Sequence, residues 1–166
     1  RRAVESVSQM YENSSAQWRK QQAERRELAA ADPAAAETTH GHVGTWDTSD
    51  VTNMEKLFYD CKTFNEDISA WNTAQVTSMY GMFWKATYFN QPIGEWDVSK
   101  VTDTGSMFRE ATSFNQPLNG WTTTSLASAR SMFTYAEAFN QPLDRWDTSA
   151  LTVMDSMFEC AHAFDQ

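Results

Sequence analysis

The sequence predicts an α/β repeat fold, a solenoid of five stacked copies that follows one long N-terminal α-helix. Three observations predict it: tryptophans recur every 25 residues, all ten phenylalanines fall in the same block, and residues 4–31 contain neither glycine nor proline. A fixed period of this length is typical of stacked repeats that share one core. The recurring tryptophans are Trp46, Trp71, Trp96, Trp121 and Trp146.

The N-terminal helix is predicted over residues 1–31, because helix-forming residues dominate its second half. Tyr11 and Trp18 belong to its thin apolar stripe, which is too interrupted for a long coiled coil. The stripe can cover the first repeat, since solenoids need caps, or it can dock on another protein. Residues 32–39 predict a linker, and the solenoid is expected over residues 40–166.

Each repeat is predicted to contain one short helix and one short extended segment. In the second copy Val76, Met79, Met82 and Ala86 recur at intervals of three and four, the pattern of a helix with one buried face. Serine and threonine residues just before this stretch can cap the helix. The Gln-Pro pair that follows suits a brief strand or extended corner, because proline has no amide hydrogen to donate.

The phrases Trp-Asp-Thr-Ser-x-Val-Thr-x-Met-x-x-Met-Phe and Phe-Asn-Gln-Pro resemble the BspA-like leucine-rich-repeat surface proteins over residues 46–166. The resemblance implies a leucine-rich-repeat-like solenoid used for adhesion or protein binding, and it brings no catalytic residues. Departures are mild, since Thr104 and Ala129 replace the first methionine of the helix and Thr122 replaces the aspartate after tryptophan.

Two polar columns recur with the repeat. Side chains of the asparagine column can bond the backbone of the neighbouring copy, a structural role that we favour over a ladder of ligands. The aspartate column can cap the predicted helices or, alternatively, coordinate calcium between copies; we favour capping and predict no metal or cofactor. The asparagine column is Asn65, Asn90, Asn115, Asn140 and Asp165, and the aspartate column is Asp47, Asn72, Asp97 and Asp147.

The net charge of −9 belongs entirely to the repeats. Residues 1–45 hold six acidic and six basic side chains, whereas residues 46–166 hold sixteen acidic and seven basic ones. An acidic solenoid repels nucleic acid and anionic membranes, so basic protein patches or cations are its expected partners. Acidity kept for solubility explains the charge equally well. The sequence shows no transmembrane run, so direct membrane insertion is not expected.

The two ends and the cysteines lead to further expectations. The chain starts at Arg1 rather than methionine and stops within its fifth copy, so we expect a processed or fragmentary chain whose last copy is covered by a partner or by further chain. Cys61 and Cys160 lie four copies apart, too far for a disulfide. Free thiols favour an organellar or other intracellular setting over a disulfide-stapled secreted domain.

Candidate functional positions are those that vary between copies, namely the two residues after each Met-Phe pair and the aromatic residues at otherwise polar places. Exposed aromatic side chains make binding anchors, although partial burial between adjacent copies explains them equally well. No Ser-His-Asp set, carboxylate pair or phosphate loop emerges, so no enzyme activity is predicted. The candidate partner-binding residues are Tyr11, Trp18, Tyr80, Trp84, Tyr88, Tyr135 and Met157.

Taken as a sequence, the chain is therefore expected to be a non-catalytic solenoid that binds other proteins. In one setting it is a structural or accessory subunit of a larger assembly. In the alternative setting it is a fragment of a cell-surface adhesin that recognises an extracellular protein. The free cysteines, the separate helix and the uncapped last copy favour the first setting, and a secretion signal in the full gene would favour the second.

Overall fold

The structure is a computed structural model, and it describes residues 42–166 of the chain. These residues form one structural unit, His42–Gln166. The helix predicted for residues 1–31 and the linker predicted for residues 32–39 lie outside the described residues, as do Tyr11 and Trp18. We number the repeats 1 to 5 from the tryptophan that begins each of them, so that repeat 1 starts at Trp46 and repeat 5 at Trp146.

The predicted α/β solenoid is wrong for the described residues, which contain no α-helix and no β-strand. Their one regular element is a short 3-10 helix, Val43–Thr45. The rest consists of turns in which each repeat lies against the next, joined by isolated parallel bridges such as Asn53 with Ser78. This part of the chain accordingly has no helix that is long and apolar enough to cross a membrane.

The helix prediction fails because the amides use other acceptors. An α-helix pairs each amide with the carbonyl four residues earlier. In repeat 1, every second amide of the predicted helix instead donates to a carbonyl of repeat 2, at 2.8–2.9 Å. Of the amides between them, those of Leu57 and Tyr59 donate to the carbonyl three residues earlier, and that of Glu55 donates to Oδ1 of Asn53. The same alternation recurs at all four junctions between repeats. In repeat 1 the amides that reach repeat 2 belong to Met54, Lys56, Phe58 and Asp60.

Left-handed residues interrupt the same segment twice in every repeat. In repeat 1 they are Lys56, with a φ of 52°, and Asp60, with a φ of 59°. Only Gly81 among the ten residues at these positions is a glycine, although this conformation costs other residues about 1–2 kcal/mol. In repeats 1 to 4 each left-handed residue donates its amide to the next repeat. The hydrogen bonds between repeats therefore stabilise a left-handed backbone conformation that is unfavourable for these residues in isolation.

Two columns of phenylalanine rings form the core. The two rings of one repeat lie 3.8–4.1 Å apart between centroids. Rings of the same column in successive repeats lie 5.5–6.0 Å apart. Phe83, Phe108 and Phe133 are fully buried in the first column. The prediction that these columns share one core is confirmed, and both columns are fully buried in repeats 2 to 4.

The tryptophan column lies beside the phenylalanines, and from repeat 2 onward each indole bonds to a carbonyl that lies before the preceding repeat. The indole of Trp121 stacks on that of Trp146 at 6.1 Å and donates from Nε1 to the carbonyl of Ile93 at 2.9 Å. The indoles of the second, third and fifth repeats make the same bond to a carbonyl 28 residues earlier. A buried indole N–H thus meets a backbone acceptor at every junction.

The asparagine column forms a ladder of hydrogen bonds. The Oδ1 of Asn115 accepts the backbone amide of Asn140 at 2.9 Å and the side-chain amide of Gln141 at 3.0 Å. The other junctions repeat the backbone bond at 2.9–3.0 Å. The predicted role, a side chain that bonds the backbone of the neighbouring copy, is therefore confirmed.

We expect the variant Asn115→Ala to lose about 1–3 kcal/mol of unfolding free energy, because the amides of Asn140 and Gln141 lose their acceptor. The variant Asn115→Asp keeps an oxygen at this place and is expected to lose less. Urea denaturation of the full chain measures both. Equal losses for the two variants would show that the accepted bonds do not stabilise this ladder.

Candidate functional site

The positions that vary between repeats gather on one turn. We call this surface the turn face, and it comprises the two residues that follow the Met-Phe pair of repeats 2 to 5 and the Leu57-Phe58 pair of repeat 1. One of them, Thr134, is buried, and the other nine keep at least partial exposure. The residues are Tyr59, Asp60, Trp84, Lys85, Arg109, Glu110, Thr134, Tyr135, Glu159 and Cys160.

Trp84 is the centre of the turn face. Its ring meets that of Tyr59 edge-on, with centroids 5.1 Å apart. The guanidinium carbon of Arg109 lies 5.3 Å from the Trp84 ring, and the ammonium of Lys85 lies 5.9 Å from it. The indole Nε1 donates to Oε1 of Glu110 at 3.2 Å. Side chains from three successive repeats therefore fix one indole ring.

Arg109 and Glu110 make a close charged pair beside this ring. The Nε of Arg109 lies 3.5 Å from Oε1 of Glu110, which is an ion-pair distance. The same Nε is enclosed by protein and lacks a hydrogen-bond partner in the described part, so the contact lacks hydrogen-bond geometry. The side chains of Arg109 and Glu110 are each 35% exposed. The neighbouring side chains thus orient the guanidinium without satisfying its hydrogen-bonding capacity.

A second aromatic pair adjoins Trp84. The ammonium of Lys56 lies 5.7 Å from the Tyr80 ring. A Cβ on Gly105 would lie 3.1 Å from the Tyr80 ring, so the missing side chain leaves room for the tyrosine. A Cβ on Gly81 would contact Lys56 at 3.3 Å and Trp84 at 3.7 Å, which shows that the two pairs are neighbours.

These neighbouring side chains form one surface, which we call the basic-aromatic patch. Its cations come from three successive repeats, one from each. Five of its residues belong to the turn face, on repeats 1 to 3. Its residues are Lys56, Tyr59, Tyr80, Trp84, Lys85, Arg109 and Glu110.

The structure places the predicted binding residues in different surroundings. Tyr80 and Trp84 are brought together in the patch. Tyr88 is 63% exposed on a different turn, and Tyr135 is 43% exposed on the turn face. A hydrogen bond with the Cys160 side chain raises the pKa of Tyr135. Met157 continues the methionine column that is buried in repeats 2 to 4, and it is half-buried in repeat 5.

Five residues of the patch were missing from the predicted binding set, namely Lys56, Tyr59, Lys85, Arg109 and Glu110. Tyr59, Lys85 and Arg109 belong to the variable pairs that the sequence singled out. The sequence therefore indicated these positions, but it did not indicate their contacts. Lys56 had no signal of its own. Its partner Tyr80 lies 24 residues later, and the contact emerges only when the repeats are stacked in register.

The aspartate column makes local turns and caps no helix. The Oδ1 of Asp97 accepts the backbone amide of Ser99 at 3.0 Å, and the other members of the column make the equivalent bond. The hydroxyl and the amide of Ser99 lower the pKa of Asp97. No group of three or more histidine, cysteine, aspartate or glutamate side chains that could hold a metal occurs within residues 42–166.

Comparison with known proteins gives one family match. A family model described as "Mycoplasma protein of unknown function, DUF285" matches residues 28–141 and, in a second segment, residues 121–166. No curated protein and no solved structure matches the chain. The two matched segments together cover most of the sequence, including all five repeats.

Proposed function

We propose that this chain, which belongs to the DUF285 family, is a non-catalytic repeat module that binds other proteins through its basic-aromatic patch. The observation that carries the proposal is the cluster around Trp84, where aromatic and arginine side chains meet on the variable turn. Tryptophan, tyrosine and arginine are the residues that contribute most binding energy at protein interfaces.

The distribution of roles within a repeat supports this choice of surface. The asparagine, tryptophan and phenylalanine columns make contacts between repeats. Every second backbone amide of the segment predicted as a helix also bonds to the next repeat. A repeat array leaves its varied surface positions for recognition. The turn face is the place where these positions combine exposure, aromatic area and charge.

The patch is also pre-organised. Its backbone is bonded to the repeat before it and to the repeat after it, and Glu110 holds both the indole of Trp84 and the guanidinium of Arg109. Side chains that are already ordered lose less conformational entropy when a partner binds. Such a surface suits specific contact with a folded or extended protein segment.

The proposed setting is a structural or accessory subunit of a larger protein assembly. Cys61 and Cys160 are not joined in a disulfide, which agrees with a protein that does not depend on disulfides. The alternative is a cell-surface adhesin fragment, and the resemblance to BspA-like repeat surface proteins supports it. In either setting the same patch is proposed to contact the partner.

Cross-linking with mass spectrometry on the full chain in its native material tests the proposal. The chain offers a built-in comparison, because Lys56 and Lys85 belong to the patch whereas Lys100 bonds to Gln75 elsewhere. We expect reproducible amine-reactive cross-links from the patch lysines to one foreign protein. The variant Trp84→Ala should remove them, and Tyr88→Ala, which truncates an exposed aromatic residue outside the patch, should not.

Two results would contradict the proposal. One is that cross-links of the patch lysines join only residues of this chain. The other is that a foreign protein is captured equally well by wild type and by Trp84→Ala, with its cross-links confined to other surfaces. Thermal melting of each variant identifies any loss that comes from unfolding.

A further inference from the structure

We propose that the partner presents an acidic segment to the basic-aromatic patch, in which carboxylates alternate with apolar side chains. This inference rests on the proposed function and specifies the chemistry of the partner at the same site. Three observations on one surface support it: two lysines without a described carboxylate partner, an arginine oriented by its neighbours, and half-exposed aromatic rings.

Among the residues that the structure describes, two cations of the patch lack carboxylate partners. Among residues 42–166 the ion pairs are His42 with Glu66, Lys62 with Asp60, and Arg109 with Glu110. The ammoniums of Lys56 and Lys85 therefore lie beside aromatic rings without a carboxylate within 4.0 Å in this part of the protein. Carboxylates of a partner would supply the missing counter-charges.

Arg109 is arranged to receive a carboxylate. The Trp84 ring lies 5.3 Å from its guanidinium carbon, and Oε1 of Glu110 lies 3.5 Å from its Nε. The terminal nitrogens of a guanidinium form a planar fork that binds a carboxylate through two parallel hydrogen bonds. Because the fork is already oriented, binding would order little additional chain.

The repeat geometry favours an extended segment. Lys56, Lys85 and Arg109 come from repeats 1, 2 and 3, so a segment that runs along the stack meets one cation from each repeat. Side chains on one face of an extended chain recur every second residue, about 7 Å apart. Rings of Tyr59 and Trp84 between these cations offer contact area for the apolar side chains of the segment.

Uniform polyanions fit the surface less well. The three cations of the patch are accompanied by the carboxylate of Glu110, with Asp60 on the same turn face and Glu55 next to Lys56 in sequence. Residues 46–166 as a whole carry sixteen acidic and seven basic side chains, a net charge of −9. This negative charge would repel a sulfated polysaccharide or a nucleic acid along its whole length. Isolated carboxylates separated by apolar groups avoid most of the repulsion.

Fluorescence polarisation with the full chain and labelled probes tests the inference. The main probe is a terminally blocked 12-residue peptide in which glutamate alternates with leucine and tyrosine, and its matched control has glutamine in place of each glutamate. We expect the acidic peptide to bind more tightly, and we expect its affinity to fall as salt is raised. A sulfated polysaccharide serves as the polyanion probe.

Variants locate the binding site. Arg109→Gln and Lys85→Gln are each expected to weaken the acidic peptide by about ten-fold, since each removes a charge-assisted contact. Lys100→Gln removes one positive charge outside the patch and should bind like wild type. Arg109→Lys keeps the charge without the fork and should recover part of the loss. If Arg109→Gln melts at a lower temperature, Lys85→Gln decides the result.

Equal affinity for the glutamate and glutamine peptides would overturn the inference, and so would tighter binding of the sulfated polysaccharide than of the acidic peptide. A partner that cross-links to Lys85 in native material but is not displaced by the acidic peptide would overturn this inference alone. Absence of any foreign cross-link at the patch would instead overturn the proposed function. The two failures are therefore distinguishable.

Discussion

The variant Phe108→Ala is expected to unfold with about 3–5 kcal/mol less free energy than wild type, as measured by urea denaturation of the full chain. Phe108 is fully buried, and its ring contacts three others, those of Phe83, Phe114 and Phe133, at centroid distances of 5.7, 3.9 and 5.6 Å. Alanine would leave a cavity in the middle of the column, with repeats on both sides of it.

Two comparison variants show whether the stack causes this loss. Phe158→Ala removes a ring at the same column position in repeat 5, where the ring is only half-buried and contacts two other phenylalanines, so a smaller loss is expected. Tyr88→Ala removes an aromatic ring that is 63% exposed, and its change should stay within about 0.5 kcal/mol. A loss for Phe108→Ala as small as that for Tyr88→Ala would rule out the shared aromatic core.

The second large effect is expected for Trp121→Ala, which should cost about 3–5 kcal/mol of unfolding free energy. The Trp121 side chain is 3% exposed, stacks on Trp146, and donates to the carbonyl of Ile93. Its removal opens a cavity and also takes the side-chain donor from the Ile93 carbonyl, which keeps the backbone amide of Trp96 as a donor.

The variant Trp121→Phe separates these two contributions. It keeps an aromatic ring in the column but cannot donate to Ile93, whose carbonyl still accepts the backbone amide of Trp96. It is therefore expected to lose about 0.5–1.5 kcal/mol for the missing hydrogen bond, together with a small packing term. Chemical denaturation followed by far-ultraviolet circular dichroism measures both variants. If Trp121→Phe were as stable as wild type, the indole hydrogen bond would have no role in joining the repeats.

Much of the candidate site could be located from the sequence, but its contacts could not. The alternation between constant and varied positions pointed to the pairs Trp84-Lys85 and Arg109-Glu110, because a repeat must keep its stacking residues and is free to change the others. The contact between Arg109 and Trp84 joins residues 25 positions apart. Such a contact depends on the register between repeats and on the turn that presents both side chains.

The helix of each repeat was wrong for a specific reason. The spacing of Val76, Met79, Met82 and Ala86 is compatible with a helix, and it is equally compatible with successive three-residue turns that bury the same side chains. The spacing cannot identify the acceptor of each amide. At Met79 and Phe83 the acceptor is a carbonyl of the next repeat, at 2.9 Å, which excludes the helical pattern.

The left-handed residues show the same limit. Lysine, aspartate, glutamate, serine, tyrosine and cysteine occupy positions with φ values of 52–64°, and none of these residue types signals that conformation in the way that glycine does. Gly81 is the single position at which the sequence offered such a signal. In repeats 1 to 4 the cost of the conformation is offset by bonds to the following repeat, which a local pattern does not contain.

By itself, the sequence determined the period of 25 residues, the burial of the phenylalanine and tryptophan columns, and the bonding role of the asparagine column. Each of these follows from side-chain identity repeated at a constant interval. The tertiary structure alone decided the backbone path of each turn and the assembly of the basic-aromatic patch. The reason is that both depend on which groups of neighbouring repeats come within hydrogen-bond or ring-contact distance, and only the stacked chain brings those groups together.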